Sequence, residues 1–129
     1  VPGWDSVMGL QFETLVRNNL SALLPLVGMG NTVLTSAAPY VRRGKRKGEG
    51  VQVDLLLQTR KSVCVVEIKR RVRILPSVQD EVREKIRRLK IPRDLSIRSA
   101  LVYDGELAPE LEENNYFDYF VPAERLFET

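Results

Sequence analysis

Val51-Gln52-Val53-Asp54-Leu55-Leu56-Leu57-Gln58 and, after Thr59-Arg60-Lys61, Ser62-Val63-Cys64-Val65-Val66-Glu67-Ile68-Lys69-Arg70 form the stretch from which the fold is read. Both runs are rich in Val, Leu and Ile, and the connection is short enough only for a hairpin. With Arg60-Lys61 as the loop, facing positions pair Thr59 with Ser62, Leu56 with Val65 and Asp54 with Glu67. A longer loop closed by Gln58 and Val63 keeps the same register. Facing side chains stand about 4.5–5.5 Å apart at Cβ, and side chains alternate between faces along a strand. Asp54, Glu67 and Lys69 are therefore expected on one face, together with Leu56, Val63 and Val65. The other face, running from Val51, Val53, Leu55 and Leu57 to Cys64, Val66 and Ile68, carries nothing polar.

Two carboxylates set opposite each other repel, and in an apolar setting the repulsion is worth several kcal/mol unless a cation or proton relieves it. The chain contains no histidine and a single cysteine. Paired acids in that context suit a hard, oxygen-seeking ion, Mg²⁺ or Mn²⁺, and argue against zinc. Such an ion polarises a phosphoryl oxygen, and Lys69 is placed to orient water or balance charge on a phosphate. The plainer alternative is an ion pair in which Lys69 neutralises Glu67 and Asp54 caps the strand end.

Outward from the hairpin, Met8, Phe12, Leu15, Val16, Leu20 and Leu23 recur at helical spacing and predict a helix over Asp5–Leu24, capped by Asp5 or Ser6 and ended by Pro25 and Gly28. Asn31–Val41 reads as a strand, and Arg42 to Gly50 as an exposed basic, glycine-rich loop. A helix N-capped by Ser77 carries the apolar stripe Val78, Val82, Ile86 and Leu89 and stops at Pro92. Ile97–Tyr103 is a strand leading into an Asp104-Gly105 turn. A short helix over Pro109–Asn114, a strand over Tyr116–Val121 and a helix over Pro122–Phe127 complete the chain. The fold class is α/β, a mixed central β-sheet flanked by helices in the order α-β-β-β-α-β.

At 129 residues the chain fits one domain spanning 1–129. From Val1 to Tyr103 there are 19 Lys and Arg against 9 Asp and Glu, whereas beyond Tyr103 there are 8 acids and only Arg125. A basic body points to a polyanionic partner, with solvated surface charge as the alternative. Cys64 lies in an apolar run and reads as a buried reduced thiol, which suits a cytoplasmic location. No apolar stretch reaches the ~20 residues of a membrane span. The chain opens without methionine or a signal-like leader and is expected to be a piece of a longer polypeptide, or one with a processed terminus.

Asp54 followed by Glu67-Ile68-Lys69 resembles the D…E-x-K core of the PD-(D/E)XK nuclease superfamily, although Val53 stands where the name-giving proline would be. Gly9-Leu10-Gln11-Phe12-Glu13 is similar to the first-helix pattern of that superfamily, and the likeness runs from about Gly9 to Tyr103. The whole chain resembles most the nuclease-like domain that follows the ATPase domain in many prokaryotic AAA-type ATPases. The resemblance implies a restriction-endonuclease-like core and a Mg²⁺- or Mn²⁺-dependent deoxyribonuclease domain docked on an N-terminal ATPase domain. It also implies a metal held by Asp54, Glu67 and the backbone carbonyl of Ile68, with Lys69 catalytic and Glu13 as a further acid. From its own neighbours Glu13 lies at the margin of an apolar stripe, where an ion pair with Arg17 is the alternative.

Non-specific DNA-backbone contacts are expected from Arg42, Arg43, Lys45, Arg46 and Lys47 in the basic loop, and from Arg70, Arg71 and Arg73. The stripe of Gln79, Arg83, Arg87 and Lys90 on the second helix joins them, and Gln79 is a further candidate for the site itself. The rival expectation is a catalytically silent module of the same fold that binds DNA, a partner protein or its ATPase domain, with a purely oligomerising domain as a third.

Overall fold

The computed structural model describes residues Pro2 to Phe127, with side chains from Met8 onward. Five strands form one sheet in the order β1-β2-β3-β4-β5: β1 (Ser36–Arg42), β2 (Val51–Gln58), β3 (Ser62–Ile74), β4 (Ser96–Leu107) and β5 (Tyr119–Pro122). The first three pair antiparallel, and β4 and β5 add in parallel after helical crossovers. Helices α1 (Pro2–Arg17), α2 (Leu20–Leu26) and α5 (Ala123–Leu126) cover one face. On it Phe12, Val16, Leu23 and Leu126 pack on Leu55, Leu57, Cys64 and Val66. Helices α3 (Ser77–Leu89) and α4 (Pro109–Glu113) cover the other, where Val78, Val82 and Leu111 meet Val53, Leu56, Val65 and Leu101. The α/β reading with a mixed sheet between helices holds.

The β2–β3 hairpin has the expected register. Thr59 N–H donates to Ser62 O at 2.9 Å across the Arg60-Lys61 loop. Leu57 faces Cys64, Leu56 faces Val65 and Leu55 faces Val66. The expected division of faces fails below Leu55, and Pro39 explains why. Ala38 pairs with Leu56 and Tyr40 with Val53, so Pro39 alone stands opposite both Asp54 and Leu55. Proline has no N–H to continue the ladder and is tolerated on an edge strand or at a bulge. The extra residue in β2 flips the alternation. Val51 and Val53 consequently pack on the α3 side with Leu56, not with Leu55 and Leu57.

Other boundaries shift for local reasons. The long N-terminal helix begins at Pro2, so Asp5 and Ser6 lie inside it; their side chains are outside the described ones. It breaks at Asn18-Asn19, where the Asn19 amide donates back to Leu15 O at 2.7 Å, a bond that competes with helix continuation. Pro25 sits within the last turn of α2 rather than after it. Strand β1 starts at Ser36, not Asn31, and β5 at Tyr119, not Tyr116. Ser77 is the first helical residue after an N-cap at Pro76 and makes no capping bond.

Asp104-Gly105 is not a turn. Strand β4 runs on to Leu107 beside an extended β3, and Gly105 alone opposes Arg71 and Val72 in a second bulge. Gly105 has φ of +142°, and a Cβ there would lie 1.8 Å from the Arg71 carbonyl oxygen. Replacing Gly105 with alanine should destabilise the fold by about 2 kcal/mol or more, read as a lower midpoint in urea denaturation.

Candidate functional site

The ladder between β2 and β3 stops at Leu55 and Val66. Bonded pairs alternate in an antiparallel ladder, so the Ile68 N–H would next donate to the Val53 carbonyl. It donates instead to Asp54 Oδ2, at 2.9 Å. The Asp54 carboxylate thus replaces a backbone acceptor, and the two strands part beyond it. Asp54 and Glu67 are consequently not partners on one face of a continuous ladder. They meet at the parting of the strands, the first from the gap and the second from the α3 side, where Lys85 reaches it.

The parting opens into a cleft of about 1190 Å³ lined by Glu13 from α1, Asp54 from β2, Glu67, Ile68 and Lys69 from β3, and Glu81 and Lys85 from α3. All four proposed catalytic residues and Ile68 reach this one cleft. Glu67 is 2% exposed and Asp54 9%. Lys85 Nζ donates to both Glu67 oxygens, at 3.1 and 3.0 Å. Lys69 Nζ lies 3.8 Å from Glu67 Oε1 and pairs with Glu81 Oε2 at 3.0 Å. Glu13 also makes the helical pair with Arg17 that stood as the alternative to a site role, at 3.7 Å.

Burial pushes the Glu67 carboxyl up from its ordinary value and the Asp54 charge adds to this, while Lys85 and Lys69 pull it back. Glu13 is raised by the same two causes, burial first and then Asp54, against Arg17, Lys85 and Lys69. An α1 acid and an α3 lysine act on each other electrostatically across the cleft that both line. Six acids and five lysines and arginines line the cleft, so the signs nearly balance overall, and the local excess of negative charge lies at the buried Asp54 and Glu67. Asp54 Oδ1 accepts no hydrogen bond among the described residues, leaving a hard oxygen facing the cleft. No cluster of three acids close enough to hold a metal exists among the described residues. Mg²⁺ does not require one, since it keeps several waters and takes one or two carboxylates. Carboxylate and carbonyl oxygens are the kind of donor such an ion takes.

Of the basic candidates, Arg70 and Arg71 line the cleft, Arg70 paired with Asp104 at 3.1 Å. Arg43, Lys45, Arg46 and Lys47 are exposed in a loop that folds on Glu49, whose carboxylate accepts from the N–H of Lys45 and Arg46. Arg42 is spent on the carbonyls of Glu49 and Arg88. Arg83 pairs with Asp80 and lies over the Tyr116 ring, while Arg87 pairs with Glu84; neither lines the cleft, and nor does exposed Lys90. Gln79 is buried and accepts from the Asn114 amide, away from the site.

The residues that sequence reading missed lie on the opposite flank of the α3 apolar stripe. Glu81, Lys85 and Arg88, four and three residues apart, face the cleft, and Arg88 donates to Gly50 O at 2.9 Å. Helical periodicity marks both flanks as polar and cannot say which one turns inward.

A Glu67 raised by burial is favoured in its protonated form by folding. Its contribution to stability is present below the ordinary value of 4.5 and is lost as pH rises through about 7. Carboxyl ¹³C NMR should resolve one glutamate titrating far above the rest, and Asp54→Asn should move it back toward the ordinary range.

Compared with protein-family models, with curated proteins and with solved structures, the chain shows no significant match.

Proposed function

We propose that this domain is a metal-dependent deoxyribonuclease with a restriction-endonuclease-like core of the PD-(D/E)XK type, joined in its parent chain to an AAA-type ATPase. The observation that supports the reading best is the convergence of Asp54, Glu67 and Lys69 on one cleft where two adjacent strands part. Asp54 through Oδ1, Glu67 and the Ile68 carbonyl would hold Mg²⁺ or Mn²⁺, with Glu13 as a fourth acid. A divalent ion there supplies Lewis acidity toward a phosphoryl oxygen. The Ile68 N–H fixes the Asp54 carboxylate, so one donor is held rigid before any substrate arrives. Glu81 holds the Lys69 ammonium at the cleft, from where it can balance charge developing on a phosphate. Arg70 and Arg71 at the rim suit a backbone contact that is blind to sequence.

One observation favours a second reading, a silent module of the same fold that binds DNA or a protein partner. Lys85 already satisfies both Glu67 oxygens, and Lys69 is closer to Glu81 than to Glu67. A supercoiled-plasmid nicking assay separates the two. The nuclease reading expects cleavage in Mg²⁺ or Mn²⁺ that stops with EDTA and drops about 100-fold or more in Glu67→Gln and in Lys69→Ala. The silent module expects no nicking and salt-sensitive DNA binding that both variants retain.

A further inference from the structure

Glu67 sits on a strand bonded to β4 from Ser62 to Arg70, so its backbone is held in place. Lys85 is different. It is 24% exposed, reaches Glu67 on a flexible four-carbon stem from α3, and can withdraw while both backbones stay still. A carboxylate buried to the extent of Glu67 is strongly destabilising without a partner. Wherever Glu67 carries its charge, some cation must therefore stand in front of it. Lys69 is not that cation, since it stands 3.8 Å from Glu67 and is engaged by Glu81. Lys85 meets both oxygens at hydrogen-bond distance, and an ion held by Glu67 would draw on the same carboxylate.

We propose that Lys85 is an internal stand-in for the divalent ion: ammonium and metal compete for Glu67, and withdrawal of the lysine opens the site. The inference rests on the metal-dependent reading above. An ammonium is a compact charge with three donors, able to satisfy a carboxylate without bringing a second one closer. The metal-free domain is thereby kept folded with its acids in place. Once displaced, the lysine remains within reach of Glu81, four residues earlier on the same helix and lining the same cleft. Lys85 is a positioning residue in this account, acting through Glu67.

Competition makes an unusual prediction, because removing the lysine charge strengthens metal binding while weakening the metal-free fold. Lys85→Gln keeps a donor for one Glu67 oxygen and loses the charge. Lys85→Arg keeps both, with a planar fork matched to a carboxylate. Mn²⁺ binding measured by electron paramagnetic resonance should tighten about tenfold in Lys85→Gln and weaken in Lys85→Arg, relative to wild type. Without metal, Lys85→Gln should melt about 5 °C or more below wild type, with the gap narrowing as Mn²⁺ is added. Equal affinity in wild type and both variants overturns the competition and leaves the nuclease reading standing. No Mn²⁺ binding in wild type or in Lys85→Gln overturns both. Should Lys85→Gln fail to fold even with Mn²⁺, the arginine variant decides: affinity at or above that of wild type overturns the inference, and weaker binding supports it.

Discussion

One hydrogen bond organises the functional end of this domain, the 2.9 Å contact from the Ile68 N–H to the Asp54 carboxylate. A side chain there does the work of a main-chain carbonyl. Without an acceptor the Ile68 N–H would be a buried, unmet donor, and the end of the ladder would carry a cost of about 1–3 kcal/mol. With it, β2 and β3 can separate without loss, and the space between them becomes a cleft. The same bond orients one carboxylate oxygen and frees the other. Structure and chemistry are served by one residue.

Charge follows from that separation. In a closed sheet, acids and lysines from α1 and α3 would have no shared space in which to meet. The opening gathers Glu13, Asp54, Glu67, Lys69 and Lys85 around one space, and burial strengthens what Glu67 feels from the others. Farther out, pairs such as Arg83 with Asp80 are solvated and contribute little. Arg42 and Arg88, each bonded to a carbonyl of the other's neighbourhood, tie the end of β1 and the start of β2 to α3 and brace the cleft wall. The cleft is accordingly a polar network on a rigid frame, with its adjustable parts confined to lysine and arginine stems.

Much of this was legible in the amino-acid sequence, and the failures have definite causes. Hairpin register follows from loop length and apolar runs, both local, so Leu55 opposite Val66 was readable. The face reversal at Val51 and Val53 depends on which residue of β1 lies beside Asp54, a tertiary fact that composition does not carry. Pro39 was visible, but its partner was not. The core stripe of α3 is readable residue by residue, whereas the flank expected to face DNA, with Gln79, Arg83, Arg87 and Lys90, lies away from the cleft, which Glu81 and Lys85 face instead. Asp104-Gly105 has the composition of a turn and serves as a bulge, since glycine satisfies either geometry and only the neighbouring strand decides.

Pro39 has one more effect. A five-stranded sheet has two margins, each a row of donors and acceptors on which a foreign chain could template itself. Here one margin is β1, seven residues long and irregular at Pro39 where β2 bulges, and the other is β5, four residues long and ending in Pro122. Neither offers a long, flat row for another strand to join. The proline that reverses the faces of β2 also helps to keep the sheet finite, and with it the molecule resistant to edge-to-edge aggregation.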